Sequence, residues 1–100
     1  MSLLTKALAL ELEPDGIRVN AICPGDVQSP MLAFQAERYG GGDPAAYYAR
    51  LLAGYPQGAG RARFIEPDEV AGFIEYLTRP EAAPITGALL SIDFGYSAGK

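Results

Sequence analysis

The sequence has no histidine, no tryptophan, a single cysteine (Cys23), and eight basic residues against twelve acidic ones. Without histidine, no Ser-His-Asp triad, no Cys-His dyad and no His-ligated zinc can be assembled from these 100 residues. No metal-ligating residues are assigned. One cysteine excludes an internal disulfide, so the chain needs no oxidising compartment. The net charge of −4 opposes a nucleic-acid footprint, which requires clustered Lys and Arg. The closest basic pair, Arg61 and Arg63, reads as solvated surface rather than a phosphate clamp. No apolar run approaches the ~20 residues of a membrane span. The start, Met1 to Leu10, is faintly leader-like, but its only lysine lies inside the apolar stretch and Glu11 and Glu13 follow at once. A cytoplasmic protein with neither nucleic-acid nor membrane partners is expected.

What is present is globular in kind: 49% of residues are apolar and 20% charged. Residues Ser2 to Glu13 are rich in Leu and Ala and predict a helix. Ser2, Lys6 and Glu13 share one stripe through Ala9, while Leu3, Leu4, Ala7, Leu8, Leu10 and Leu12 cover most of the remaining circumference. Such a helix requires cover on more than one side. Pro14-Asp15-Gly16 closes it, Gly16 being suited to a left-handed C-terminal position. Ile17 to Cys23 then reads as a strand in a buried parallel sheet, stopped by Pro24-Gly25, with Cys23 a small buried residue at its end.

Ser29-Pro30 and Asp43-Pro44 each pair a capping side chain with proline at the first helical position. They predict two short helices, separated by Gly40-Gly41-Gly42. Phe34, Tyr39, Tyr47, Tyr48 and Tyr55 place half of the ten aromatics here. Glycine hinges around aromatic helices suit a mobile lid over an apolar ligand; a plain helical hairpin with core aromatics is the alternative. Glu66-Pro67-Asp68-Glu69 opens a further helix, with Val70, Phe73, Ile74 and Leu77 at helical spacing and Arg79-Pro80 at its end. Ile85 to Phe94 reads as a second strand with Ala88, Leu90, Ile92 and Phe94 on one face. The order implies an α/β fold: two parallel strands joined by a right-handed helical crossover. Two strands are too few, because parallel sheets are wider and covered on both faces. The pattern is that of part of a sheet, incomplete as a free domain.

Ile17-Arg18-Val19-Asn20-Ala21-Ile22-Cys23-Pro24-Gly25-Asp26-Val27-Gln28-Ser29-Pro30-Met31 resembles the short-chain dehydrogenase/reductase family. Leu4 to Leu12 looks like the second half of that family's long helix, Glu66 to Ala71 like the helix before its last strand, and Ile85 to Tyr96 like that strand and its tail. Four motifs in the family's order are far more specific than any one alone. The resemblance implies that residues 1–100 are the C-terminal part of a single domain with a doubly wound parallel, Rossmann-like sheet. Within it, residues 29–60 would be a substrate-lid-like helical excursion.

The resemblance also implies a function: part of an NAD(P)-dependent oxidoreductase interconverting an alcohol and a carbonyl. Its cofactor would be NAD or NADP, its substrate a small molecule and its assembly a homo-oligomer. The family's Gly-rich turn, ribose selector, Ser and Tyr-x-x-x-Lys lie upstream of the matched segment. No catalytic residue is assigned, and the chain alone is expected to be inactive and a doubtful binder of the cofactor. Pro24, Gly25, Val27 and Ser29 would form the nicotinamide end of the cofactor site, with the Val27 backbone pairing with the carboxamide. Ser29 is also an N-cap for the helix that follows, and one oxygen can serve both roles. Met31, Phe34, Tyr39 and Tyr48 match the variable substrate lid. Phe94 departs from the family, which commonly has glycine there, and would add packing or a subunit contact. Asn20 would bond neighbouring backbone. The competing function is a non-catalytic truncated product that serves as an interaction or oligomerisation module.

Overall fold

The computed structural model describes residues 2–58 and 60–99. Met1, Lys100 and Ala59, the last inside the 29–60 excursion, lie outside the described residues. Helix α1 (Ser2–Leu12) runs into a 3-10 turn at Glu13–Asp15, which Gly16 closes at φ 73°. Strand β1 (Ala21–Pro24) follows, then α2 (Pro30–Tyr39), α3 (Pro44–Ala53), α4 (Pro67–Leu77), a 3-10 turn at Pro80–Ala82 and strand β2 (Leu89–Ile92). A last 3-10 turn covers Tyr96–Gly99. The proline-led starts form as their caps dictate. Ser29 Oγ accepts from the Leu32 amide at 3.2 Å and Asp43 Oδ1 from the Ala46 amide at 3.2 Å. At α4 the Glu66 amide donates to the Glu69 carboxylate at 2.9 Å.

The two strands pair in parallel, Ala21 opposite Leu89 through Pro24 opposite Ile92. Pro24 costs no ladder bond. The amides of Ala21 and Gly25 donate to the carbonyls of Ala88, just before β2, and Ile92, its last residue, so by alternation the Pro24 nitrogen lies on the opposite edge, which no strand covers among the described residues.

Both strands are shorter than their hydrophobic runs. Gly87, at φ 71°, turns the chain before β2, and Asn20 takes over the ladder there. Its Nδ2 donates to the Ile85 carbonyl at 3.0 Å and its Oδ1 accepts from the Ala88 amide at 3.1 Å. At the other end Phe94 sits at φ 54°, a left-handed conformation that costs a non-glycine residue ~1 kcal/mol and ends the strand. In β2 the sheltered positions are Leu90 and Ile92, as the alternation predicts. Cys23 is exposed, not buried: the sheet face on which it stands is bare at that end of β1.

The core is small. Among the described residues the buried apolar side chains are Ala9, Leu32, Ala36, Tyr55, Ile65 and Ala82. Helix α1 buries only Thr5 and Ala9, one turn apart, against the Gly87 bend, where an added Cβ would stand 3.4 Å from Ala9 Cβ. Leu3, Leu4 and Leu10 stay in solvent, Leu3 at 83% and Leu10 at 79% exposure, while Leu8 and Leu12 are half-buried. The molecule measures 53 × 26 × 25 Å with a radius of gyration of 16.6 Å, against about 13 Å for a compact chain of this length. Its accessible surface is 6814 Å², against about 5,500 Å² expected for its mass. These residues form part of a layered sheet domain whose apolar faces are only partly covered.

Arg18 ties the last helix to β1. Its guanidinium donates to the carbonyls of Leu77 at 2.6 Å, Ala82 at 3.1 Å and Ile85 at 3.2 Å, so one side chain satisfies the C-terminal end of α4 and the loop after it. Arg18→Lys keeps the charge but cannot span three carbonyls. Chemical denaturation should show it less stable by about 1–2 kcal/mol, with Arg18→Met at least as damaging.

Candidate functional site

The carboxyl end of β1 opens into the turn Gly25–Ser29, where open α/β sheets place their ligands. The turn is fixed from three directions. The Gly25 amide donates to the Ile92 carbonyl at 2.9 Å, extending the strand ladder. The Ile65 amide donates to the Asp26 carbonyl at 2.9 Å, and the Gln28 amide donates to the Ile65 carbonyl at 2.8 Å. These two bonds make an isolated parallel bridge between Val27 and Ile65. In such a bridge the central residue turns its own N–H and C=O away from the partner. The Val27 amide and carbonyl therefore face the side opposite Ile65 and have no partner among the described residues.

The third hold comes from Tyr55. Its hydroxyl accepts from the Asp26 amide at 2.8 Å and donates to Asp26 Oδ2 at 2.9 Å. Tyr55 is 5% exposed, its ring tilts against Tyr96 at 4.9 Å, and burial pushes its phenol up. Gly25 has no room for a side chain here. A Cβ would stand 2.7 Å from the Tyr55 hydroxyl and 3.2 Å from Asp93 Cβ. Space, rather than an unusual backbone angle, requires the glycine.

Gly25, Asp26, Val27, Ser29, Met31, Leu32 and Gln35 line a cleft of about 240 Å³. Of the residues expected from sequence to hold the cofactor, Gly25, Val27 and Ser29 meet there, and Pro24 adjoins them as the last residue of β1. Met31 joins them from α2. Phe34, Tyr39 and Tyr48 do not line the cleft. Phe34 and Tyr39 are exposed, with the Arg38 guanidinium 5.8 Å from the Tyr39 ring centre. Tyr48 packs edge-on against Phe64, ring centres 5.5 Å apart. Ligand pockets commonly measure about 300–1,000 Å³, so this cleft is smaller than a usual ligand pocket. Asp26 is the one titratable side chain lining it, and Tyr55 already holds that carboxylate.

Tyr55 was read only as one of the excursion's aromatics and Asp26 only as part of the family motif; their contact, and the part of Ile65, went unread in the sequence. Tyr55 is 29 residues from its partner, and no local pattern announces a contact that distant. A tyrosine followed four residues later by lysine does occur, at Tyr96 and Lys100. It stands after β2 instead of in a helix before β1, Lys100 lies outside the described residues, and Tyr96 packs on Tyr55. No catalytic role is assigned to it.

Beyond β2, Phe94 is held in its left-handed conformation from two sides. Gln57 Nε2 donates to its carbonyl at 2.8 Å, and the Arg63 guanidinium lies 4.9 Å from its ring centre. Asp93 gathers the Gly95 amide at 3.0 Å, the Ser97 amide at 3.1 Å and the Ser97 hydroxyl at 2.6 Å. That hydroxyl, before the amides, holds the Asp93 carboxyl below its ordinary value. Arg63 also grips Glu69 through both carboxylate oxygens, at 2.7 and 2.9 Å.

A parallel strand pair with helical connections and a cleft at the carboxyl end of β1 defines the C-terminal part of a Rossmann-type sheet. The family model described as enoyl-(acyl carrier protein) reductase matches residues 1–97, and the chain belongs to the short-chain dehydrogenase/reductase family. It is 41% identical over 91 residues to a Streptomyces coelicolor protein named as a ketoacyl reductase, covering 88% of this chain and 33% of that one. In fold it is similar to a short chain dehydrogenase family protein from Francisella tularensis. That match has a TM-score of 0.86 and 30% identity, over 97% of this chain and 40% of the other. It is also similar to a variant actinorhodin polyketide ketoreductase solved with NADPH, at a TM-score of 0.81 and 39% identity over 95% of this chain and 36% of that one. The chain spans about a third of the length of the curated relatives it matches.

The Arg63 guanidinium and then the Glu66 amide hold the Glu69 carboxyl at about 2, below its ordinary 4.5. Because the folded value is the lower one, the stability that Glu69 contributes is complete above about 4.5 and is lost as pH falls from there through about 2. Carbon-13 NMR of the Glu69 carboxyl should show a midpoint near 2, and Arg63→Ala should move it back toward 4.5.

Proposed function

We propose that these residues are the nicotinamide end of an NAD(P)-dependent oxidoreductase that interconverts an alcohol and a carbonyl on a small-molecule substrate. The observation that carries this is the Val27 peptide. A primary carboxamide offers one acceptor and a pair of donors, and Val27 presents an unpaired donor and acceptor on one side of a turn held rigid by Ile65. Gly25 gives the backbone clearance, Pro24 ends the strand, and the Ser29 hydroxyl caps α2 while keeping its own proton to donate. NAD or NADP fits this donor set. When bound, it would take up the hydride in its oxidised form or supply it in its reduced form; these residues orient the ring and exclude water from its carboxamide. Met31 lines the same cleft, which supports the 29–60 excursion as a substrate cover, with Phe34 and Tyr39 on its outer parts and Tyr48 packed on Phe64. The family's proton-transferring Ser and Tyr-x-x-x-Lys would come from a segment upstream of these residues. The single cysteine and the absence of a long apolar run support a cytoplasmic setting. Among the described residues no helix is long and apolar enough to cross a membrane.

A second reading is a truncated product acting as an interaction module. It is favoured by one observation, the exposure of Leu3, Leu4 and Leu10 on α1 beside an open sheet edge. Such surfaces invite association, and the same surfaces support a homo-oligomer in the oxidoreductase reading. Enzyme assay separates the two. The purified 100-residue chain should not oxidise NADH or NADPH with carbonyl substrates, whereas a protein carrying the upstream Tyr-x-x-x-Lys and Gly-rich turn as well should do so. Turnover by the 100 residues alone would contradict the assignment of proton transfer to an upstream segment. Absence of turnover in the longer protein would favour the interaction module.

A further inference from the structure

The peptide groups on both sides of Val27 are held by Ile65, but the group before them, between Gly25 and Asp26, is held by Tyr55. Tyr55 belongs to the excursion. Its amide donates to the Leu52 carbonyl at the end of α3 at 3.1 Å, and its carbonyl accepts from Gly58 at 3.1 Å. Its hydroxyl then reaches past Gly25 to take the Asp26 amide and carboxylate together. Helices α2 and α3 pack on one another, so a displacement of the pair draws on Tyr55. The backbone of the turn and the seat of the excursion meet in one phenol.

We propose that Tyr55 is a positioning residue for the cofactor: through its hydroxyl, the seated α2–α3 excursion fixes the Asp26–Val27 turn so that the Val27 peptide stands ready for the nicotinamide carboxamide. The role rests on the oxidoreductase reading of the turn. It follows from the bonds on both sides of Asp26. Removing the hydroxyl leaves a half-buried amide and a carboxylate oxygen without their partner, and the turn regains freedom where the ligand needs it fixed. The close approach of Gly25 makes the same demand from the other direction, since a Cβ there would take the place of the hydroxyl.

The test is made on the complete protein that contains these residues, with two independent readouts. Tyr55→Phe keeps the ring and its packing on Tyr96. Amide NMR of this variant should show the Asp26 proton shifted upfield and less protected from exchange, with Ala36 in the α2 core unmoved. Calorimetry with NADH and NADPH should show binding about tenfold weaker, without loss of the folded spectrum. An unmoved Asp26 amide in Tyr55→Phe, or a moved amide with unchanged affinity, overturns the proposal. A wild-type protein that binds neither nucleotide, with the Asp26 amide still sensitive to Tyr55, overturns the cofactor reading itself and with it the positioning role.

Discussion

Parallel pairing of Ala21–Pro24 with Leu89–Ile92 decides where everything else in the molecule can lie. Parallel strands share a carboxyl end, so the chain leaves β1 and β2 on the same side of the sheet, and both exits bend there. At the first exit Gly25 continues the ladder by one bond to Ile92 and the backbone then turns along Ile65. At the second, Phe94 is forced into a left-handed conformation while Asp93 folds the tail back through Gly95 and Ser97. Each bend leaves the other room: the missing Cβ of Gly25 is the space that Asp93 and the Tyr55 hydroxyl occupy. The unpaired Val27 peptide is a direct product of this geometry, since a bridge to Ile65 on one side exposes donor and acceptor on the other.

The same pairing explains why the molecule is elongated. Two strands and their connections can bury a seam, and the buried residues lie along that seam: Ala9 against Gly87, Ala82 beneath Arg18, and Ile65 and Tyr55 beneath the turn. They cannot bury the outer leucines of α1 or the free edge of β1. Polar bonds carry part of the tertiary contact. Arg18 satisfies three carbonyls and Asn20 replaces the ladder at the Gly87 bend. Such bonds fix geometry sharply while contributing only about 1 kcal/mol each to net stability. The turn is therefore better positioned than the burial around it would suggest.

Local signals in the sequence proved legible and long-range ones did not. Ser29-Pro30, Asp43-Pro44 and Pro67 specify helix starts through capping and a fixed φ, and the helices begin there. Gly16 marks a left-handed closure for the same local reason. The family motif at Ile17–Met31 brought Gly25, Val27 and Ser29 to attention, and these line one cleft. Strand ends were overextended because hydrophobicity continues past the Gly87 bend and into Phe94, where backbone angle rather than composition ends the pairing. The glycine that the family commonly has at the Phe94 position becomes intelligible from its φ of 54°. Cys23 was misread because a buried strand was assumed to be covered on both faces. The Tyr55–Asp26 contact had no signal at all, since it forms only when the excursion folds back over the turn.

The most direct measurement is a crystal structure, with nicotinamide nucleotide bound, of the complete protein that contains these residues. If the Val27 peptide is the carboxamide receptor, its nitrogen and oxygen will lie at about 2.7–3.2 Å from the carboxamide. The Tyr55 hydroxyl will remain on Asp26. A nucleotide bound elsewhere, or one that leaves the Val27 amide and carbonyl unpaired, would contradict the assignment of this turn as the nicotinamide site.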